Sequence, residues 1–273
     1  MARGRKNEWG FTLLELLVAM GIFLIICAVM FELLDMSQKR YNTETQLTAA
    51  YQDARLAVDQ ITRDFNVAGY PPASIYSVLP VSRPWRYATG PVAWSPNYPT
   101  MPCHMGTDCS TPSDYDLIIE TRLSTDPLTG SVHVKWIWYH LDTTTNPNAP
   151  ALMRTVVGKN FGDPWGIVQA SNETTSLVAN VMNVPPAAEL AQIKAQYPLM
   201  YPSGSAQPIF QYTCDTPTGQ QACATAPTPY NTPLYIRDVN ITLIVATPQK
   251  DMQTQLYKLV ELSGRGHRLN PDN

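Results

Sequence analysis

Hydrophobic positions change their period twice along the chain. Leu16 to Phe31 is an apolar run of sixteen residues without a charge. With Phe11 to Leu14 it predicts a helix about 30 Å long, enough to cross a hydrocarbon core at about 1.5 Å per residue. From Asp35 to Gln46 the residues turn polar, as on a solvated shaft. Then Leu47, Tyr51, Ala54, Val58, Ile61 and Phe65 recur at spacings of 4, 3, 4, 3 and 4, a stripe on one helix face. Such a stripe serves a coiled coil or a helix packed on a sheet. Strands follow it here, which favours sheet packing. Between Gly21 and Gly69 there is neither Gly nor Pro, and Pro71-Pro72 prevents continuation, so one helix is expected from about residue 12 to 68.

Beyond Tyr70 the period becomes two. Leu117, Ile119, Thr121 and Leu123 alternate with Ile118, Glu120 and Arg122, a half-buried strand. Val132, Val134, Trp136 and Trp138 alternate with His133, Lys135, Ile137 and Tyr139, a strand apolar on both faces and therefore central. Val239, Ile241, Leu243 and Val245 form a third strand, Leu152-Met153-Arg154 a short one, and Tyr257 to Leu262 closes the sheet. The expected head is one antiparallel meander. Three long stretches decorate it: residues 82–112, residues 185–208 with a short helix from Ala187 to Gln196, and residues 212–232.

Composition narrows the class. The chain has 273 residues, 44% of them apolar and 15% charged, which suits a folded head with a substantial core. Arg3, Arg5 and Lys6 against Glu8 leave the first ten residues with a surplus of two positive charges. The formal total of −3 therefore leaves about −5 on the rest. That balance argues against nucleic acid as a partner, and the basic start before the apolar run orients the head outward.

Five cysteines fit an oxidising compartment. Cys27 reads as a small apolar residue of the helix, while Cys103 with Cys109 and Cys214 with Cys223 read as local disulfides that close loops. The competing reading of the first pair is a metal site with His104, but its spacing matches no usual zinc pattern. No catalytic motif appears: G-x-S-x-G, H-E-x-x-H, a phosphate loop and a dinucleotide turn are all missing from the sequence. His104, His133, His140 and His267 are scattered, and Asp114, Asp116 and Asp142 do not space like a calcium loop. The expected protein is not an enzyme, holds no metal and needs no cofactor. Trp85, Trp94 and Tyr98 are weighed as a glycan or surface contact and read instead as packing of their loop on the sheet.

One residue resists the plain membrane-anchor reading. Glu15 sits inside the apolar segment, where a carboxylate costs roughly 2.5–3.5 kcal/mol at mid-bilayer, less near an end. It needs a partner. An ordinary signal peptide would be cut after its apolar region, and Phe31-Glu32-Leu33-Leu34-Asp35 offers no small-residue site.

The hexapeptide Gly10-Phe11-Thr12-Leu13-Leu14-Glu15, behind a basic leader and before an apolar helix, resembles the type IV pilin superfamily. The resemblance implies that a prepilin peptidase cuts between Gly10 and Phe11 and methylates the new amine of Phe11. It also implies that Glu15 serves assembly. The domains are then a leader over 1–10, an N-terminal helix over 11–69 with its membrane and assembly segment at 11–34, and a β-rich periplasmic or extracellular head over 70–273. The fold class is α+β: a long helix packed on an antiparallel head with disulfide-closed loops.

Within that superfamily, Arg55 to Tyr70, the pair Trp138-Tyr139-His140-Leu141 and Ala151-Leu152-Met153-Arg154, and the strand Leu234 to Val245 resemble the PilW-type minor pilins. This implies a subunit of the complex that starts pilus assembly. It would be anchored in the inner membrane with its head in the periplasm and then reach the cell surface. Its partners would be other minor and major pilins, the prepilin peptidase and the assembly platform. A GspJ-like type II secretion pseudopilin is the alternative, generally with a more compact head. A signal-anchored periplasmic binding domain that never polymerises is the alternative of another class.

Overall fold

A computed structural model describes residues 12–68, 92, 104–109, 112–125, 132–158, 174–202, 204, 206–252 and 254–269. Gly10, Phe11, Gly69, Trp85, Trp94, Tyr98 and Cys103 lie outside the described residues. Helix α1 runs from Leu13 to Asn66, 54 residues or about 81 Å. Its buried face is Ala50, Ala54, Ala57, Val58, Ile61, Asp64 and Phe65. The expected stripe is thus rotated. Ala54, Val58, Ile61 and Phe65 face inward, but Tyr51 is exposed and Leu47 only half-buried, while Ala50 and Ala57 take the inner positions. Small side chains at the centre of the stripe let the helix axis approach the sheet closely.

The head contains two sheets where the alternation predicts one. The first is β1 (Asp116–Thr125), β2 (Val132–Asp142), β3 (Ala151–Gly158) and β4 (Thr174–Val178), antiparallel and paired in chain order. The second comprises β5 (Phe210–Thr216), β6 (Gly219–Ala222), β7 (Ile236–Ala246) and β8 (Leu259–His267), antiparallel in the order β6-β5-β7-β8. The β5–β6 hairpin lies mostly inside the stretch read from sequence as a loop. Phe210, Tyr212 and Cys214 are all buried and alternate, so the strand does carry the period-two signal, masked by its Thr- and Pro-rich flanks. Gly219 makes the tight return with φ of 117°. The short helix α2 (Leu190–Gln196) begins three residues later than expected, after a turn in which Glu189 N donates to Pro186 O.

One core unites these elements. Buried side chains of α1 meet Leu117, Ile119, Ile137, Tyr139 and Leu152 of the first sheet and Phe210, Val239, Ile241, Leu243 and Val245 of the second. β2 is central, as its sequence implies: Ile137 and Tyr139 enter this core, while Trp136 packs with Ile118 on the other face. The alternation of β7 emerges as read, with Val239, Ile241, Leu243 and Val245 all inside.

β8 extends to His267, five residues beyond the expected Leu262; the glycines of its second half break the apolar alternation that would mark a strand. Gly264 and Gly266 occupy the face turned to α1. A Cβ at Gly264 would overlap Val58 Cγ1, and one at Gly266 would come 2.9 Å from Phe65 Cδ1. Glycine is required there by the closeness of the helix, with no need of unusual backbone.

Candidate assembly site and its tie to the head

The helix start is built by a four-residue pattern, T-x-x-E. Thr12 is the N-cap in extended conformation; its Oγ1 accepts a hydrogen bond from Glu15 N at 3.3 Å. In return Glu15 Oε2 accepts from Thr12 N at 3.0 Å and from Thr12 Oγ1 at 2.9 Å. This reciprocal capping box satisfies two of the orphan N–H groups of the first turn, and the carboxylate meets the positive end of the helix dipole. The partner Glu15 needs is therefore present on its own chain, and it is neutral. T-x-x-E was visible in the sequence as a helix-start signal.

Around this cap the helix is bare. Every residue from Leu13 to Leu34 is exposed except half-buried Cys27, which is a free thiol. Leu13 is 83% exposed and Phe31 71%. This is the one helix among the described residues that is long and apolar enough to cross a membrane. Chemically the segment can partition into lipid or pack against similar helices, and its two carboxylates, Glu15 and Glu32, sit near its two ends.

The other end of α1 is fastened to both sheets. Asp64 faces inward, and its Oδ2 accepts from Tyr139 Oη at 2.5 Å and from Arg154 Nε and Nη2 at 3.1 and 2.9 Å. Its Oδ1 accepts from Gln60 Nε2 at 2.9 Å. Tyr139 and Arg154 are direct cross-strand neighbours on β2 and β3, so one carboxylate bridges the helix to the centre of the first sheet. Burial, reinforced by the Asp64 charge, holds the Tyr139 phenol protonated far above its ordinary range. The second sheet takes the helix end: His267 N donates to Asn66 Oδ1 at 2.9 Å, beside the glycine face. The sequence reading singled out Tyr139 and Arg154 within its hairpin resemblance and did not pair them with Asp64.

Of the cysteines, Cys214 and Cys223 form a disulfide across the β5–β6 hairpin. Cys109 is also disulfide-bonded, and its expected partner, Cys103, lies outside the described residues, as do the Gly10 and Phe11 of the expected cleavage junction. His104 does not gather ligands: its described partner is Asp108, whose Oδ1 lies 3.5 Å from Nδ1, and no group of three metal-ligating side chains occurs among the described residues.

Comparison with known proteins gives one match. The prokaryotic N-terminal methylation motif is found at residues 5–31. No curated protein and no solved structure matches the chain. The chain thus carries a prepilin-type N-terminal motif followed by an apolar helix suited to membrane anchoring, which supports a type IV pilin-like or pseudopilin protein.

Proposed function

We propose that this chain is a minor pilin of the PilW-like kind, a structural subunit that takes part in starting a type IV pilus. The observation that carries the reading is the continuity of α1. A methylation motif leads into a bare apolar half-helix, and the same helix then enters a packed head. Such a helix can wait in the inner membrane with its head in the periplasm and later pack among the helices of neighbouring pilins. The prepilin peptidase would cut after Gly10 and methylate Phe11. Its new amine then lies one residue before Thr12, whose cap already holds the Glu15 carboxylate. Glu15 would meet that amine on its own chain or an incoming one. The Pro-rich loops of the head favour this reading over a compact type II secretion pseudopilin.

Two measurements test it. The mature protein from its native membrane is expected to begin at N-methylated Phe11 by intact mass; a chain that keeps Arg3 to Gly10 overturns the assignment. Glu15→Leu is expected to be cleaved normally, to accumulate in the membrane and to be depleted from sheared filaments. Incorporation at wild-type level would deny Glu15 its docking role.

A further inference from the structure

A cavity of about 680 Å³ opens at the disulfide-closed end of the head, between residues 105–109 and 112–115 on one side and β5 with its hairpin on the other. That volume lies within the roughly 300–1,000 Å³ of small-molecule sites. Its walls are an apolar set and a polar set. Met105 and Ala224 supply apolar surface, and the two loops meet closely there: a Cβ at Gly106 would stand 3.1 Å from Ala224 Cβ. The polar set is Asp114, Tyr115, Gln211 and Asn240. Gln211 and Asn240 are cross-strand neighbours on β5 and β7, so their amides project side by side.

None of these four side chains has a hydrogen-bond or ion-pair partner among the described residues. All four line the same space. The backbone beneath them is fixed, because Ile209 N and Phe210 N both donate to Asp114 O, at 2.8 and 3.0 Å. Tyr212 Oη, in the wall, is already committed to the Ser113 and Asp116 carbonyls at 3.1 and 2.8 Å. The backbone that carries the site is therefore held in place.

Charge decides the ligand class. No Lys, Arg or His is among the described residues that line the cavity, so a phosphate, sulfate or carboxylate would meet Asp114 with none of them to neutralise it. A lone exposed carboxylate gains little from a cation, because water screens the pair. Two amides, a carboxylate and a phenol beside apolar walls suit a molecule with several hydroxyls and an apolar C–H face. We propose that this cavity binds a neutral saccharide, with Gln211 and Asn240 bridging adjacent hydroxyls, Asp114 accepting from another and Tyr115 against the ring face. The site belongs to the head, so the proposal stands apart from the filament reading.

The test uses the full chain in detergent micelles and the methyl glycosides of glucose, galactose, mannose and N-acetylglucosamine. Saturation-transfer NMR and titration are expected to find at least one binder near the millimolar range. Asp114→Ala and Asn240→Ala, both at exposed positions, are each expected to weaken it at least about tenfold with the melting temperature unchanged. Nα-acetyl-lysine amide serves as the cationic probe. The proposal is overturned if no glycoside binds, if binding survives both substitutions, or if the lysine probe saturates the site more tightly than every glycoside.

Discussion

Helix α1 is one element with two halves that obey different rules. From Leu13 to Leu34 it is exposed almost throughout, and between Glu15 and Glu32 it carries no charge on any side; from Ala50 to Phe65 it is amphipathic and buries one narrow face. The first half is held in shape by its own backbone and by a Thr12–Glu15 cap. The second is held by partners: Val58 and Phe65 against the glycines of β8, and a carboxylate against Tyr139 and Arg154. A side chain therefore has opposite value in the two halves. Bulk is what the lower half offers to lipid or to other helices, whereas in the upper half each side chain is fitted to a partner and added bulk at the seam with β8 has no room.

The largest way to break this contrast is at Arg154. Arg154→Leu leaves Asp64 buried with Tyr139 and Gln60 alone, and removing one member of such a pair typically costs roughly 3–5 kcal/mol. Thermal unfolding of the full chain in detergent is expected to show a loss of that order, with the apolar half still helical by circular dichroism. An unchanged midpoint would mean that the bridge does not fasten the helix.

A matched pair of glycine substitutions sharpens the comparison. Gly264→Ala would push a methyl into Val58 and is expected to cost about 1–3 kcal/mol, the usual range for overpacking. Gly21→Ala meets nothing within 4 Å; it is expected to leave the head's midpoint unchanged and to firm the local helix by roughly 0.5–1 kcal/mol. Hydrogen exchange around Gly21 and a melting curve for each variant check both signs. Equal destabilisation by the two would erase the distinction between the halves.

The smallest expected effect is on pH. Asp238 is fully buried between β7 and β8. Burial alone would raise its pKa, but hydrogen bonds from Arg265 at 2.8 Å and with His267 at 2.5 Å more than reverse this, leaving it below the ordinary 3.8. A depressed carboxylate stabilises the fold above its unfolded pKa, and that contribution is lost as pH falls through the folded one. The wild type is expected to melt above Asp238→Asn near pH 6, with the gap narrowing below about pH 3.8. A gap that stays constant down to pH 2 would show that Asp238 does not titrate with folding.

Much of this architecture was legible in the residues, unevenly. The helix, the alternation of β7 and the central place of β2 follow from periods strong enough to outvote local propensity. The β5–β6 hairpin was hidden because Thr, Pro and Cys suggest a loop, even though Phe210, Tyr212 and Cys214 alternate. β4, with Thr174, Thr175 and Ser176, carries too few apolar residues to announce itself. The glycines of β8 read as weak strand from sequence, since close approach of a helix is a fact of tertiary packing. Asp64 sits three residues after Ile61 on the buried face, where a charge looks like an error until Tyr139 and Arg154 arrive from the sheet. Sequence marks Glu15 as a residue needing company, and the structure adds a neutral partner three positions away, Thr12.

The two fastenings at the top of α1 also determine how the head bears a mechanical load. Tension applied along the axis from the apolar end reaches Asp64 and Asn66, then divides: one share passes through Tyr139 and Arg154 into the middle of the first sheet, the other through His267 into the second. Both attachments lie at the end of the helix farthest from the pull, and the packed turns run alongside β8. The contact is therefore loaded in shear, many bonds at once, and cannot be peeled open one residue at a time.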